Sequence, residues 1–153
     1  MAIDVIDEKL LSVLQENARI SISELSKRIN LSLSAVSERL KKLEASGVIQ
    51  QYTAILDPKQ MQKNIAAIIL LTINGDPRSA DFIKYIQNNK DILSCSRTTG
   101  QSDYILKIWA KDTSALQTYI DELKALRGVT NVHSLVLLDD IKINYSVAPV
   151  ATK

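Results

Sequence analysis

The residues able to do chemistry in this chain lie in two short stretches. Between residues 27 and 42, Lys27, Arg28, Arg39, Lys41 and Lys42 stand against one acid, Glu38, and are interspersed with Ser32, Ser34, Ala35 and Ser37. A local run of cations is what phosphate contact requires, and small or hydroxyl side chains let a helix come close to base edges and sugar-phosphate. The second stretch is Thr98, Thr99, Gly100, Gln101, Ser102 and Asp103. It combines two hydroxyls, the backbone amides around a glycine and a carboxylate, which together can grip the ammonium and carboxylate of a small amino acid. Each stretch also has a plainer reading, as a solvated basic helix face and as a routine hairpin connection.

Catalytic chemistry has little to work with. The single His133 has no evident nucleophile or metal partner, and the single Cys95 sits in an apolar segment that reads as core. Asp139 and Asp140 point to opposite faces if extended, so they cannot work as a paired acid and base. There is no phosphate loop, zinc-ligand spacing or nucleophile elbow. No catalytic residue, metal site or cofactor is therefore expected, and one cysteine excludes an intramolecular disulfide.

The elements that must position the two stretches follow from periodicity. Asp4 can cap a first helix with Ile6, Leu10, Val13 and Leu14 on one face. Ser23 can cap a second, ending at Asn30, and Ser32 or Ser34 a third, with Val36, Leu40 and Leu43 as its buried stripe and Gly47 as its stop. The tight connection between the second and third helices is the helix-turn-helix arrangement. The pattern then turns strand-like at Val48–Leu56, and 57–64 reads as a polar linker. Strands are expected at 66–74, 92–98, 104–110 and 129–138, with helices at 79–88 and 113–126. The order β-α-β-β-α-β places two helices on one face of a four-stranded antiparallel sheet. The tail after residue 141 alternates weakly and can add an edge strand. The fold class is α+β, with domains at 1–56 and 65–153 joined by 57–64.

Charge position sharpens the picture. The whole chain of 153 residues carries a formal net charge of only +2. Residues 1–26 hold five acids against two bases, whereas residues 27–42 hold five bases against one acid. The longest apolar run, Ile65–Leu71, is seven residues, too short for a membrane span. The N-terminus shows no signal segment, so a cytoplasmic, nucleoid-associated protein is expected.

Several motifs together resemble the Lrp/AsnC (feast/famine) transcriptional regulators. They are Ile3-Asp4-x-x-Asp7, Leu10-Leu11, Asn17-Ala18-Arg19, Ser23-x-Leu25, Leu31-Ser32, Val36-x-x-Arg39-Leu40-x-x-Leu43-Glu44-x-x-Gly47-Val48-Ile49 and Tyr52. In the second half, Thr98-Thr99-Gly100-x-x-Asp103-Tyr104 with Lys107 resembles that family's ligand-domain motif. The resemblance implies a winged helix-turn-helix joined to a ferredoxin-like (ACT-like) effector domain. It also implies double-stranded DNA as partner, homodimers assembling to tetramers or octamers, and an amino-acid effector bound between dimers near residues 98–103. Two departures stand out. Met61-Gln62 replaces the usual Leu-Gly after the linker, and Ser102 stands where an aromatic is usual. The reading is a sequence-specific regulator with an effector-modulated DNA affinity. The alternative is an architectural DNA-bridging protein without a metabolite switch.

Overall fold

The computed structural model describes residues 2–74 and 80–152. They form two compact units, one of residues 2–54 with 142–152 and one of residues 55–141. Among the described residues no helix is long and apolar enough to cross a membrane.

The first unit is built on α1 (Val5–Glu16), α2 (Ile22–Ile29) and α3 (Leu33–Ala45). Asp4 caps α1 in a reciprocal capping box with Asp7. Asn30 ends α2 at φ 57°, and Ser32 caps α3. The cap of α2 is Ser21, not Ser23: Ser21 Oγ accepts the Glu24 N–H at 3.1 Å, which leaves Ser23 inside the first turn. Leu10, Leu25, Val36 and Leu43 are fully buried where the three helices meet, with Leu40, Val48 and Ile49 packed against them. Gly47 turns the chain out of α3 at φ 75°, in the left-handed region that glycine enters without strain.

Two expectations fail in instructive ways. Val48–Leu56 forms no strand. A β-rich composition needs a second backbone to pair with, and this segment is held instead by Ile49 N–H donating to Leu43 C=O (3.2 Å) and Tyr52 hydroxyl donating to Glu44 Oε1 (2.9 Å). The tail after residue 141 adds no edge strand either. Residues 142–152 group instead with the compact unit that holds the three helices.

The second unit opens with a tight turn in which Lys63 N–H donates to Pro58 C=O at 2.9 Å. It continues through β1 (Ile65–Ile73), α4 (Ala80–Asn88), β2 (Ile92–Arg97), β3 (Tyr104–Ala110), α5 (Thr113–Ala125) and β4 (Val129–Leu137). Ser79, expected at the start of α4, lies outside the described residues. All pairings are antiparallel, in the order β2-β3-β1-β4. Alternation along β1 and β3 sends Ala67, Ile69, Leu71, Tyr104, Leu106 and Ile108 into a core with Phe82 of α4 and Leu116 and Leu123 of α5. The opposite face of the sheet carries Ile68, Leu70, Ile105, Trp109 and Leu135, none of which joins that core. Gly128 (φ 89°) precedes β4, and a Cβ there would meet Asn74 O at 3.0 Å.

Candidate nucleic-acid interface and effector loop

The third helix starts without an acid in its first turn, so its positive end is uncompensated. Ser32 Oγ accepts the Ala35 N–H at 3.2 Å and lies 3.1 Å from Ser34 Oγ. Ser34, Glu38, Lys41 and Lys42 are exposed on α3, and Ala35 and Ser37 are half-buried beside them. Lys27 and Arg28 are exposed in the last turn of α2. Their ionic partners separate these cations. Arg28 meets Glu16 at 3.3 Å and Lys42 meets Glu38 at 2.7 Å, both in exposed pairs that water competes for. Lys27 and Lys41 have no ion pair among the described residues.

Arg39 differs from all of them. Its Nη1 lies 2.7 Å from both Asp4 Oδ2 and Asp7 Oδ1, with the Arg39 side chain 29% exposed and that of Asp7 only 4%. Hydrogen bonds to Asp4 and then Asp7 hold the guanidinium above its ordinary pKa. The Asp4 carboxyl is held below its usual range by the Asp7 N–H and by Arg39. Arg39, expected from the sequence among the DNA contacts, is thus turned inward, where its charge is already neutralised. The signal was present. Arg39 lies three residues after Val36 and four before Leu43, on the buried stripe, and Asp4 and Asp7 share one face of the capping box. Sequence reasoning also passed over Leu33, whose apolar side chain at the first position of α3 is 55% exposed.

The stretch 98–103 connects β2 to β3, as its motif suggests. Thr98 N–H donates to Asp103 C=O at 2.9 Å, and the Thr98 hydroxyl donates to Ser102 C=O. Asp103 ties this hairpin to the end of β1: its N–H donates to Leu71 C=O at 2.8 Å, and its Oδ2 accepts the Ile73 N–H at 2.7 Å. One carboxylate oxygen is therefore committed to the fold. Thr98, Thr99, Gly100 and Gln101 are exposed, and Ser102 and Asp103 are half-buried. A methyl at Gly100 would meet nothing within 4 Å, so the subunit itself does not require glycine there. An open groove of about 560 Å³ lies elsewhere, lined by residues that include Lys84, Tyr85 and Asp91 and by none of 98–103. Asp91 beside it is desolvated, which raises its pKa, but the Lys63 ammonium at 2.6 Å and the Tyr119 hydroxyl outweigh that and lower it.

Comparison with known proteins assigns both halves. Residues 3–50 match the family described as winged helix-turn-helix DNA-binding, and residues 66–147 match the Lrp/AsnC ligand binding domain. The leucine-responsive regulatory protein of Escherichia coli K12 is 36% identical over 143 residues, covering 92% of this chain and 87% of that protein. The HTH-type transcriptional regulator FL11 of Pyrococcus furiosus is 32% identical over 136 residues, 89% of each chain. Among solved structures, a transcriptional regulator of Neisseria meningitidis in complex with L-Met superposes with a TM-score of 0.89 at 36% identity, covering 94% of this chain and 95% of the other. A feast or famine regulatory protein of M. tuberculosis complexed with L-methionine gives 0.87 at 26% identity, covering 97% and 100%. With a DNA-binding helix-turn-helix at one end and the ligand-binding fold at the other, the chain belongs to the Lrp/AsnC family of transcriptional regulators.

Proposed function

We propose that this regulator binds double-stranded DNA as a homodimer, with α3 of each copy in the major groove, and that an amino acid held at residues 98–103 modulates that binding. The observation that carries the DNA part is the outer face of α3. Ser34, Lys41 and Lys42 project there, an uncompensated helix N-terminus leads in, and Lys27 and Arg28 add exposed cations in the last turn of α2. Ser32, Ala35, Ser37 and Glu38 complete that face, and Leu33 joins it. Arg39 supports the helix from behind and is withdrawn from the contact set.

The homodimer reading is supported by the uncovered sheet face, where half-buried Ile68, Leu70, Ile105 and Trp109 adjoin Leu135, which is 47% exposed. The face also holds Lys107, paired with Ile68, and His133, paired with Leu70, so its apolar residues are interrupted by two polar ones. A mainly apolar sheet face of this kind calls for a partner, and a second copy with the same face satisfies it symmetrically. Tetramers or octamers would be assembled from such dimers, acting on nucleoid DNA in the cytoplasm. Amino-acid chemistry is supported by the exposed hydroxyls, the glycine the subunit does not need, and Asp103 Oδ1, which has no hydrogen bond among the described residues. Methionine is the first ligand to test, since solved neighbours carry it.

Selection of binding sites from a random DNA library, followed by footprinting with and without each amino acid, tests the reading. Discrete sites whose occupancy responds to an amino acid are expected. Long uniform protection with no sequence preference would replace it with the architectural alternative. An amino acid that binds only the folded protein must also raise its melting temperature.

A further inference from the structure

Residues 142–152 contain no helix or strand, and neither family match extends past residue 147. Among the described residues the segment is nevertheless held by four hydrogen bonds, two to Ile3 ahead of α1 and two to side chains of α1 itself. The Ile3 N–H donates to Thr152 Oγ1 at 2.8 Å, and the Thr152 N–H donates to Ile3 C=O at 2.8 Å, so one residue of the tail grips both backbone groups of Ile3. Further along, Gln15 Nε2 donates to Val147 C=O at 2.6 Å and Ala151 N–H donates to Glu8 Oε2 at 3.2 Å. The tail therefore follows α1 along its whole length.

The place of the grip matters. Ile3 directly precedes Asp4, whose carboxylate caps α1 through the Ile6 and Asp7 N–H groups and also holds Arg39 of α3. Thr152, Ile3, Asp4 and Arg39 make one continuous path from the C-terminal segment to the helix that faces DNA. We propose that the C-terminal segment is a positioning element of the DNA-binding unit, which sets the N-terminal cap of α1 and, through Arg39, the orientation of α3. This proposal rests on α3 being the DNA-reading helix.

The test uses the full chain and a DNA site selected with the wild-type protein. Thr152→Val keeps the side-chain shape but removes the oxygen that Ile3 donates to, and should weaken DNA binding about three- to tenfold, the loss of roughly one hydrogen bond. Thr152→Ser should restore it to within about twofold. Truncation after Val147 should weaken binding at least as much as Thr152→Val. In neither variant should the dependence of affinity on salt change, because no phosphate contact is removed. In an Asp4→Asn background, Thr152→Val should add almost nothing, since both act on one path. Unchanged affinity in both Thr152→Val and the truncated chain overturns the proposal. So does full additivity with Asp4→Asn, or a flatter salt dependence on truncation, which would mean that the tail touches phosphate itself. The reading of α3 fails separately, if Lys41→Ala leaves both affinity and salt dependence untouched.

Discussion

Arg39→Ala separates a structural cation from a DNA-contacting one. The guanidinium bridges Asp4 and Asp7 at 2.7 Å each, and Asp7 has almost no access to water. Removing one partner of a fully buried pair costs about 3–5 kcal/mol, because the other charge is left without compensation. Arg39 is 29% exposed, so water can enter the vacated space and the penalty should be smaller, about 2–3 kcal/mol. For a unit of this size that is a fall in melting temperature of about 10 °C or more. Arg39→Lys keeps a charge but loses the planar fork, and should fall between. Lys41→Ala, with no partner to strand, should leave stability within about 0.5 kcal/mol and lower the salt slope of DNA binding by about 0.9.

Acid sharpens the same comparison. The folded pKa of Asp4 is depressed, so its contribution is present above the unfolded value of 3.8 and is lost as pH falls through the folded value. Wild-type stability should therefore drop steeply in that acid window, and the Arg39→Ala variant should drop less. Thermal denaturation across pH, with binding measured over a salt series well below the variant's melting temperature, reads both effects. An Arg39→Ala protein as stable as wild type, with a slope reduced by about 0.9, would refute the reasoning and return Arg39 to the phosphate contacts.

Asp103→Ala should cost about 1–3 kcal/mol of thermal stability as well as any amino-acid response, because the Ile73 N–H loses its acceptor; Gly100→Ala should leave stability unchanged and alter only the response, read by calorimetry with methionine. Gln62 holds φ 56° in the turn where the family usually carries glycine, and Gln62→Gly should stabilise by about 0.5–1 kcal/mol in denaturant unfolding, the left-handed strain relieved less the added chain entropy. Leu33→Ser should weaken binding to thymine-containing sites by a few-fold and abolish the difference between thymine and uracil at the contacted step, because the thymine methyl is read by apolar contact, which serine's hydroxymethyl does not supply.

The helices and strands were legible because their signals are local. A cap such as Asp4, a stop such as Gly47 and the alternation of Tyr104, Leu106 and Ile108 each act within a few residues, and the fold agrees with them. What was not legible depends on partners distant in sequence. Val48–Leu56 has strand composition but finds no second backbone in the single chain. The tail alternates like a strand, yet its backbone is met by Ile3, some 149 residues away. Arg39 reads as a surface cation until the Asp4 and Asp7 carboxylates are brought beside it. In the effector loop the chemistry was visible, but not that Asp103 spends one oxygen on Ile73. The shape of that loop follows from the hairpin, whereas Gly100 answers to nothing within the subunit.

The sorting of the cations also gives a way to count copies on DNA. Among the described residues Lys27 and Lys41 have no ion pair, while Arg28 and Lys42 are held in exposed pairs and can exchange a carboxylate for a phosphate at little cost. One copy thus offers between two and four phosphate contacts, for a salt slope of about −2 to −4, and two copies offer about −4 to −7. Leu135→Glu places a charge on the uncovered sheet face, at a side chain already 47% exposed, so the subunit should fold while self-association fails. Sedimentation should show the variant as a smaller species than wild type, and its salt slope should be about half. Equal slopes for the two species would mean that one copy makes all the phosphate contacts, and the paired recognition helices would have to be abandoned. A halved slope would mean that a chain with a net charge of only +2 binds a polyanion by setting the same few unneutralised lysines against it twice.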